Sequence, residues 1–202
     1  MNFPLQSTVI AAILGDYGPL AKIDAHWPFV EAALDAAGIY SPLCAVAAIA
    51  TIAVETGRFS PIKERGGPTY LANLYENRND LGNVNSGDGS KFQGRGFIPI
   101  VGRREYERFG TEIGKDLAGI PDLALDPPIA AKILAAYFKE RDVRTFADQQ
   151  NWEMVRRRVS AVADRAEWPR FIDVATQLVA ALKNPPPSTA GTSQHAIEEL
   201  DR

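Results

Sequence analysis

The sequence predicts a mainly α-helical domain with one long irregular segment set among its helices. Three observations carry that prediction. Proline and glycine bracket apolar runs in the order that starts and stops helices. Apolar residues recur at three- and four-residue spacing in the C-terminal half. Seven glycines and five asparagines crowd residues 66–96, where no periodicity survives.

Taken in chain order, a weak helix is expected over residues 6–14. Pro28 opens a helix over residues 28–37, and Gly38 closes it. Ser41-Pro42 starts the next, which runs to Thr56 with Gly57 as its C-terminal cap. Residues 60–96 are too long for an ordinary connection. Their Tyr70, Tyr75, Glu76, Arg78, Asp80, Phe92 and Arg95 argue for an ordered cleft wall with room for a short hairpin. A second weak helix is expected over residues 103–109. Asp126-Pro127 caps a helix over residues 129–141, with Ile133, Leu134, Tyr137 and Phe138 at helical spacing. Two more are expected over residues 152–162 and 169–183. Residues 1–183 thus form one domain. Residues 184–202 follow as a polar tail that soon runs Pro-Pro-Pro and is expected to be flexible.

Composition narrows the chemistry. At 46% hydrophobic and 23% charged, the 202 residues suit one packed domain. The net charge of −3 argues against a nucleic-acid or anionic-membrane surface, which need a basic excess. Cys44 is the only cysteine, and His26 and His195 are the only histidines. That removes an intrachain disulfide, a Cys/His zinc cluster and a Ser-His-Asp triad. Cys44 sits in an apolar run and reads as inert packing. The Gly-Asp-Gly at residues 87–89 lacks the ligand alternation of a calcium loop. Gly94-Arg95-Gly96 lacks the third glycine of a dinucleotide site. Neither a metal nor a cofactor is expected. The first residues carry no basic leader, and the apolar run over residues 43–54 is too short to span a bilayer. Neither a signal peptide nor stable membrane insertion is expected.

Glu55 stands out by its setting. From Ser41 onward the run SPLCAVAAIATIAVE holds no other charge. A helix apolar on all sides is buried, so its single carboxylate emerges from the core at the last turn. Partial desolvation and the negative helix end are the conditions in which a carboxyl acts as a general acid. From setting alone, a helix-end Glu that simply faces water remains the more ordinary reading. A glycosidase needs a second carboxylate, and Glu64, Glu76, Asp80 and Asp88 all lie in the following segment. The basic clusters at residues 103–104, 139–144 and 156–158 read as solvated faces, from which one arginine can hold a catalytic carboxylate ionised.

Three blocks then occur in order: AVETGRFSPIKE (residues 53–64), FQGRGFIPIVGRREYERFG (92–110), and PDLALDPPIAAKILAAYF (121–138) followed by VRRRVS (155–160). Together they resemble glycoside hydrolase family 19, the lysozyme-like family of plant chitinases and many bacteriophage endolysins. The loop YENRNDLGNVNSGDG (75–89) resembles the phage and bacterial branch. The resemblance implies a two-lobed, lysozyme-like helical fold with a cleft for N-acetylated sugar polymers. It implies Glu55 as general acid, and Glu64 as second carboxylate with Glu76 as the fallback. Tyr75, Glu76, Arg78, Arg95 and Arg158 are the candidate substrate contacts. Inversion would set the two carboxyls about 6.5–9.5 Å apart, with room for the attacking water.

The chain also departs from the family pattern. Pro99, Val101 and Glu105 replace the usual Gln, Thr or Ser, and Asn. Ser160 replaces a sugar-contacting Asn. The hydroxyl lost at Val101 is one that the resemblance assigns to holding water, and a valine side chain makes no hydrogen bond.

The resulting expectation is a monomeric muramidase of the endolysin kind, acting on peptidoglycan glycan strands. It would be made in the bacterial cytoplasm and reach the wall through a separate pore. The single cysteine, the leaderless start and the phage-type loop favour it over a chitinase acting on N-acetylglucosamine polymer. A third reading is a catalytically weakened sugar-binding component of a phage particle.

Overall fold

The computed structural model of the chain describes residues 3–160 and 167–184. The architecture is mainly α, as the sequence predicts. Its helices are α1 (Ser7–Leu14), α2 (Leu20–Ala36), α3 (Pro42–Thr56), α4 (Pro68–Tyr75), α5 (Asp88–Lys91), α6 (Arg103–Ile113), α7 (Pro127–Glu140), α8 (Val143–Asp148), α9 (Trp152–Val159) and α10 (Trp168–Lys183). Two short strands, β1 (Ile62–Lys63) and β2 (Arg95–Gly96), pair antiparallel with Ile62 opposite Gly96 and Lys63 opposite Arg95.

Helix α3 is the central element. The Ser41 hydroxyl accepts from the Cys44 N–H at 3.0 Å and caps its start, with Pro42 in the first turn. Gly57 ends it in the left-handed conformation (φ 68°), a shape that costs a side-chain-bearing residue energy. Every residue from Cys44 to Ala53 is buried, so the helix has no polar face. It packs against α8, α9 and α10, while α2 packs against α1 and α7. Burial pushes the Cys44 thiol up to about 12, which makes it inert packing.

Helix α2 differs from expectation. It begins at Leu20 after Pro19, so Pro28 lies inside it rather than opening it. An interior proline removes a backbone bond and costs about 3 kcal/mol. Burial of Ile23, Trp27, Val30 and Leu34 offsets that, each apolar side chain contributing roughly 1.5–3 kcal/mol. Tertiary packing therefore overrides the local signal.

The segment over residues 60–96 is more ordered than its composition suggests. It holds α4, a 3-10 turn at Asn79–Leu81, α5 and both strands. The strands are not a hairpin, since all of α4 and α5 lie between them. Helix α8 is an element without a sequence signal. It follows Asp142 in a left-handed conformation (φ 51°) where no glycine marks the break. Helix α9 ends at Val159 with Ser160 extended, and the last two residues of its expected span lie outside the described residues, as does the tail beyond Asn184.

Candidate active site

Helix α3 delivers Glu55 one residue before its end, into a cleft of about 780 Å³. One wall is helical: Glu55 and Thr56, Tyr137 from α7, Arg156 and Val159 from α9, and Glu167 just before α10. The facing wall comes from the strand pair and its flanks: Ile62, Lys63, Glu64 and Arg65, then Ile98, Pro99 and Val101 after β2. Tyr75, at the end of α4, joins them. Glu55 and Glu64 therefore face one cleft from different elements. A second groove of about 480 Å³ between α2 and α7 is lined half by alanines, and Glu112 is the one carboxylate among its described residues.

Each of the two carboxylates has its own support. The buried Arg156 guanidinium, through Nη1, donates to Glu55 Oε1 and forms an ion pair with it. Its Cζ also lies 5.8 Å from the centre of the Phe171 ring. Glu64 follows β1 directly, and both of its carboxylate oxygens accept hydrogen bonds. The Tyr75 hydroxyl donates to Oε1 at 2.8 Å, and the Gly94 N–H donates to Oε2 at 3.0 Å. The backbone is tied as well: the Glu64 N–H reaches the Gly94 carbonyl at 2.8 Å, and Gln93 Nε2 reaches the Glu64 carbonyl at 2.8 Å. A Cβ on Gly94 would stand 3.2 Å from Glu64 Oε2, so the first glycine of the Gly-Arg-Gly motif makes room for this carboxylate. Burial, then the hydrogen bond to Glu64, pushes the Tyr75 phenol well above its ordinary range. Burial likewise raises the Tyr137 phenol, against the pull of Arg141.

The other candidates separate. Glu76 lies outside the cleft lining, and its two oxygens accept from the Gly87 and Gly89 N–H groups at 2.6 and 2.8 Å. It closes the glycine turn. Arg78 is exposed and forks onto Asp80, at 2.7 Å through Nε and 2.6 Å through Nη2. Arg95 is buried and braces its own segment. It donates to Asp122 at 2.6 Å, to the Lys91 and Gln93 carbonyls, and to the Tyr106 hydroxyl. Arg158 lies over the Phe146 ring at 5.0 Å, outside the cleft lining. Asp88 is buried against Arg103. Of the sequence candidates, the cleft thus gathers Glu55, Glu64 and Tyr75. Pro99, Val101 and Ser160 line it too, whereas Glu105 pairs with Arg108 at 2.7 Å on α6.

Lys63, Arg65, Tyr137 and Glu167 are cleft residues that sequence reasoning did not single out. Arg65 had a signal available, since it adjoins Glu64. Tyr137 was read only as core, because its spacing is that of a buried helix face.

The fold is mainly α and lysozyme-like, with two carboxylates, Glu55 and Glu64, on one cleft. Among solved structures, chitinase C from Streptomyces griseus HUT6037 matches with a TM-score of 0.64 over 91% of this chain and 78% of that one, at 16% identity. A point mutant of chitinase C gives the same figures. No protein-family profile matches the chain. A curated glycosyl hydrolase family 19 domain-containing protein from Haemophilus influenzae is 34% identical over 94 residues, which are 46% of this chain and 45% of that protein. The chain thus spans about half the length of the curated relative it matches. It resembles glycoside hydrolase family 19 in sequence over part of its length and in fold over most of it.

Proposed function

We propose that the protein is a glycoside hydrolase of the family 19 type that cuts the β-1,4 bond between N-acetylmuramic acid and N-acetylglucosamine in peptidoglycan. The observation that carries this reading is the pair Glu55 and Glu64, lining one cleft from different elements, each carboxylate fixed by its own donors.

In the proposed mechanism Glu55 is the general acid. In the substrate complex Glu55 carries the proton on Oε2, and the Arg156 bond to Oε1 stabilises the carboxylate left once that proton has passed to the glycosidic oxygen. Glu64 is the general base. Its oxygens each accept one bond from the protein, and each has a lone pair left for a water. That water attacks the anomeric carbon from the face opposite the leaving group, with inversion. On this reading the glycan strand is the partner, the enzyme acts as a monomer, and the protein reaches the wall from the cytoplasm through a separate pore.

The fold likeness to a chitinase supports a second reading, hydrolysis of N-acetylglucosamine polymer. Turbidity clearing of permeabilised Gram-negative cells, run beside clearing of colloidal chitin, decides between them. Mass spectra of the fragments identify the bond cut. Clearing of chitin but not of cells would overturn the peptidoglycan reading.

A further inference from the structure

We infer that Arg65 reads a carboxylate on the substrate, so that the cleft selects an ionised glycan over a neutral one. This rests on the peptidoglycan reading above and deepens it.

The charges of the cleft's described residues can be accounted for one by one. Arg156 pairs with Glu55. Glu64 is held by Tyr75 and the Gly94 N–H. Lys63 pairs with Asp122 at 3.1 Å, and Asp122 also takes Arg95 at 2.6 Å. Arg65 and Glu167 are left, on different walls. Among the described residues neither side chain has a hydrogen bond or an ion pair, the Glu167 carbonyl alone accepting from the Phe171 N–H, and the two do not pair with each other. Arg65 is exposed at the cleft surface, directly after the candidate base.

A guanidinium presents five N–H donors in a planar fork that matches a carboxylate in two parallel bonds. An N-acetylglucosamine polymer has no anion to offer it. Peptidoglycan does: its stem peptides carry free carboxylates, and the lactyl group carries one wherever the peptide has been removed. An arginine with an unpaired side chain in the cleft lining also raises the local concentration of an anionic strand. If Arg65 acted instead through its neighbour Glu64, its removal would slow every substrate alike.

That difference supplies the experiment. Arg65→Gln and Arg65→Lys are compared with wild type on four substrates: intact sacculi, sacculi with carboxyls amidated by carbodiimide, amidase-stripped glycan strands, and chitin oligosaccharides. The expected result is a loss of about tenfold in kcat/KM for Arg65→Gln on intact sacculi, chiefly in apparent KM, with Arg65→Lys intermediate. Wild type should lose as much on amidated sacculi, where Arg65→Gln loses nothing further. On any chitin oligosaccharide cleavage, wild type and variant should agree. A loss that persists on stripped strands assigns the carboxylate to the lactyl group, and one confined to intact sacculi assigns it to the stem peptide. An equal loss on all substrates, or none on sacculi and strands, overturns the inference while leaving the glycosidase reading standing. Wild type inactive on both sacculi and strands overturns the peptidoglycan reading itself.

Discussion

The Arg156 guanidinium reaches Glu55 from 101 residues further along the chain, and the two form an ion pair in the cleft wall. The arginine side chain is 5% exposed and the glutamate 22%, so the pair is largely withdrawn from water. Removing one partner of a buried pair costs about 3 kcal/mol or more, because the other is left charged and unpaired. Arg156→Ala should therefore lower the urea midpoint markedly and abolish activity. Glu55→Gln should be milder for stability, since an amide oxygen still accepts the arginine bond. Its activity should fall by about 10² to 10⁴, the range for loss of a general acid. Lysis by Glu55→Gln at the wild-type rate would remove Glu55 from the mechanism.

Tyr75 and Gly94 are expected to act through Glu64. Tyr75→Phe deletes the donor to Oε1 and leaves the ring, so it should lower kcat more than it raises KM. A hydrogen bond to a charged group is worth about 1.5–3 kcal/mol, which bounds the loss at roughly ten- to a hundredfold. Gly94→Ala should also slow the enzyme, because its Cβ would press within 3.2 Å of Oε2 and of Pro99 Cβ. Thermal melts should show a smaller effect than the rates do. If both variants match wild type, the base lies elsewhere, and Glu167→Gln becomes the variant to assay.

Acid stability should depend on Asp88. The Arg103 guanidinium, at 2.6 and 3.0 Å, and the N–H groups of Asn85 and Val84 hold its carboxyl below the usual range, against the opposing effect of burial. A depressed folded value means the native state binds fewer protons than the unfolded chain. The stability it contributes is present above about pH 4, the unfolded value, and is lost as pH falls through the folded one. Asp122, held down by Lys63 and Arg95, adds to the same limb. Urea midpoints from pH 6 to pH 2 should fall steeply for wild type. Asp88→Asn should start lower and fall less. A parallel fall in both would show that Asp88 carries no part of the acid limb.

The central helix and the position of Glu55 on it were legible because the signals are local. Ser41-Pro42, Gly57 and an uninterrupted apolar run define α3, and they put Glu55 at its end without reference to anything else in the chain. What supports Glu55 was only half legible. The cluster at residues 156–158 offered three arginines, and only the register of α9 decides that Arg156 turns inward while Arg158 lies over Phe146. Which of Glu64 and Glu76 lines the cleft was likewise beyond spacing, since it depends on which strand pairs and which turn closes. Pro28 misled for a related reason: burial of one helix face outweighed a backbone penalty that sequence punctuation treats as a boundary.

Val101, like Pro99 and Ser160, departs from the pattern of the family the chain resembles at a position that lines the cleft. Its side chain is half-buried beside Pro99 and faces the cavity into which Glu55 and Glu64 open. Val101→Thr changes one methyl to a hydroxyl at nearly constant volume, and cleft water is at hand to satisfy the new group. Stability should therefore stay within about 0.5 kcal/mol. If a hydroxyl here helps hold the attacking water, kcat should rise several-fold with KM unchanged, because the gain comes in the transition state alone. Single-turnover cleavage of sacculi reads this directly. An unchanged rate would mean that Glu64, fixed by Tyr75 and Gly94, orders the water without help from position 101, and that the valine has no catalytic cost.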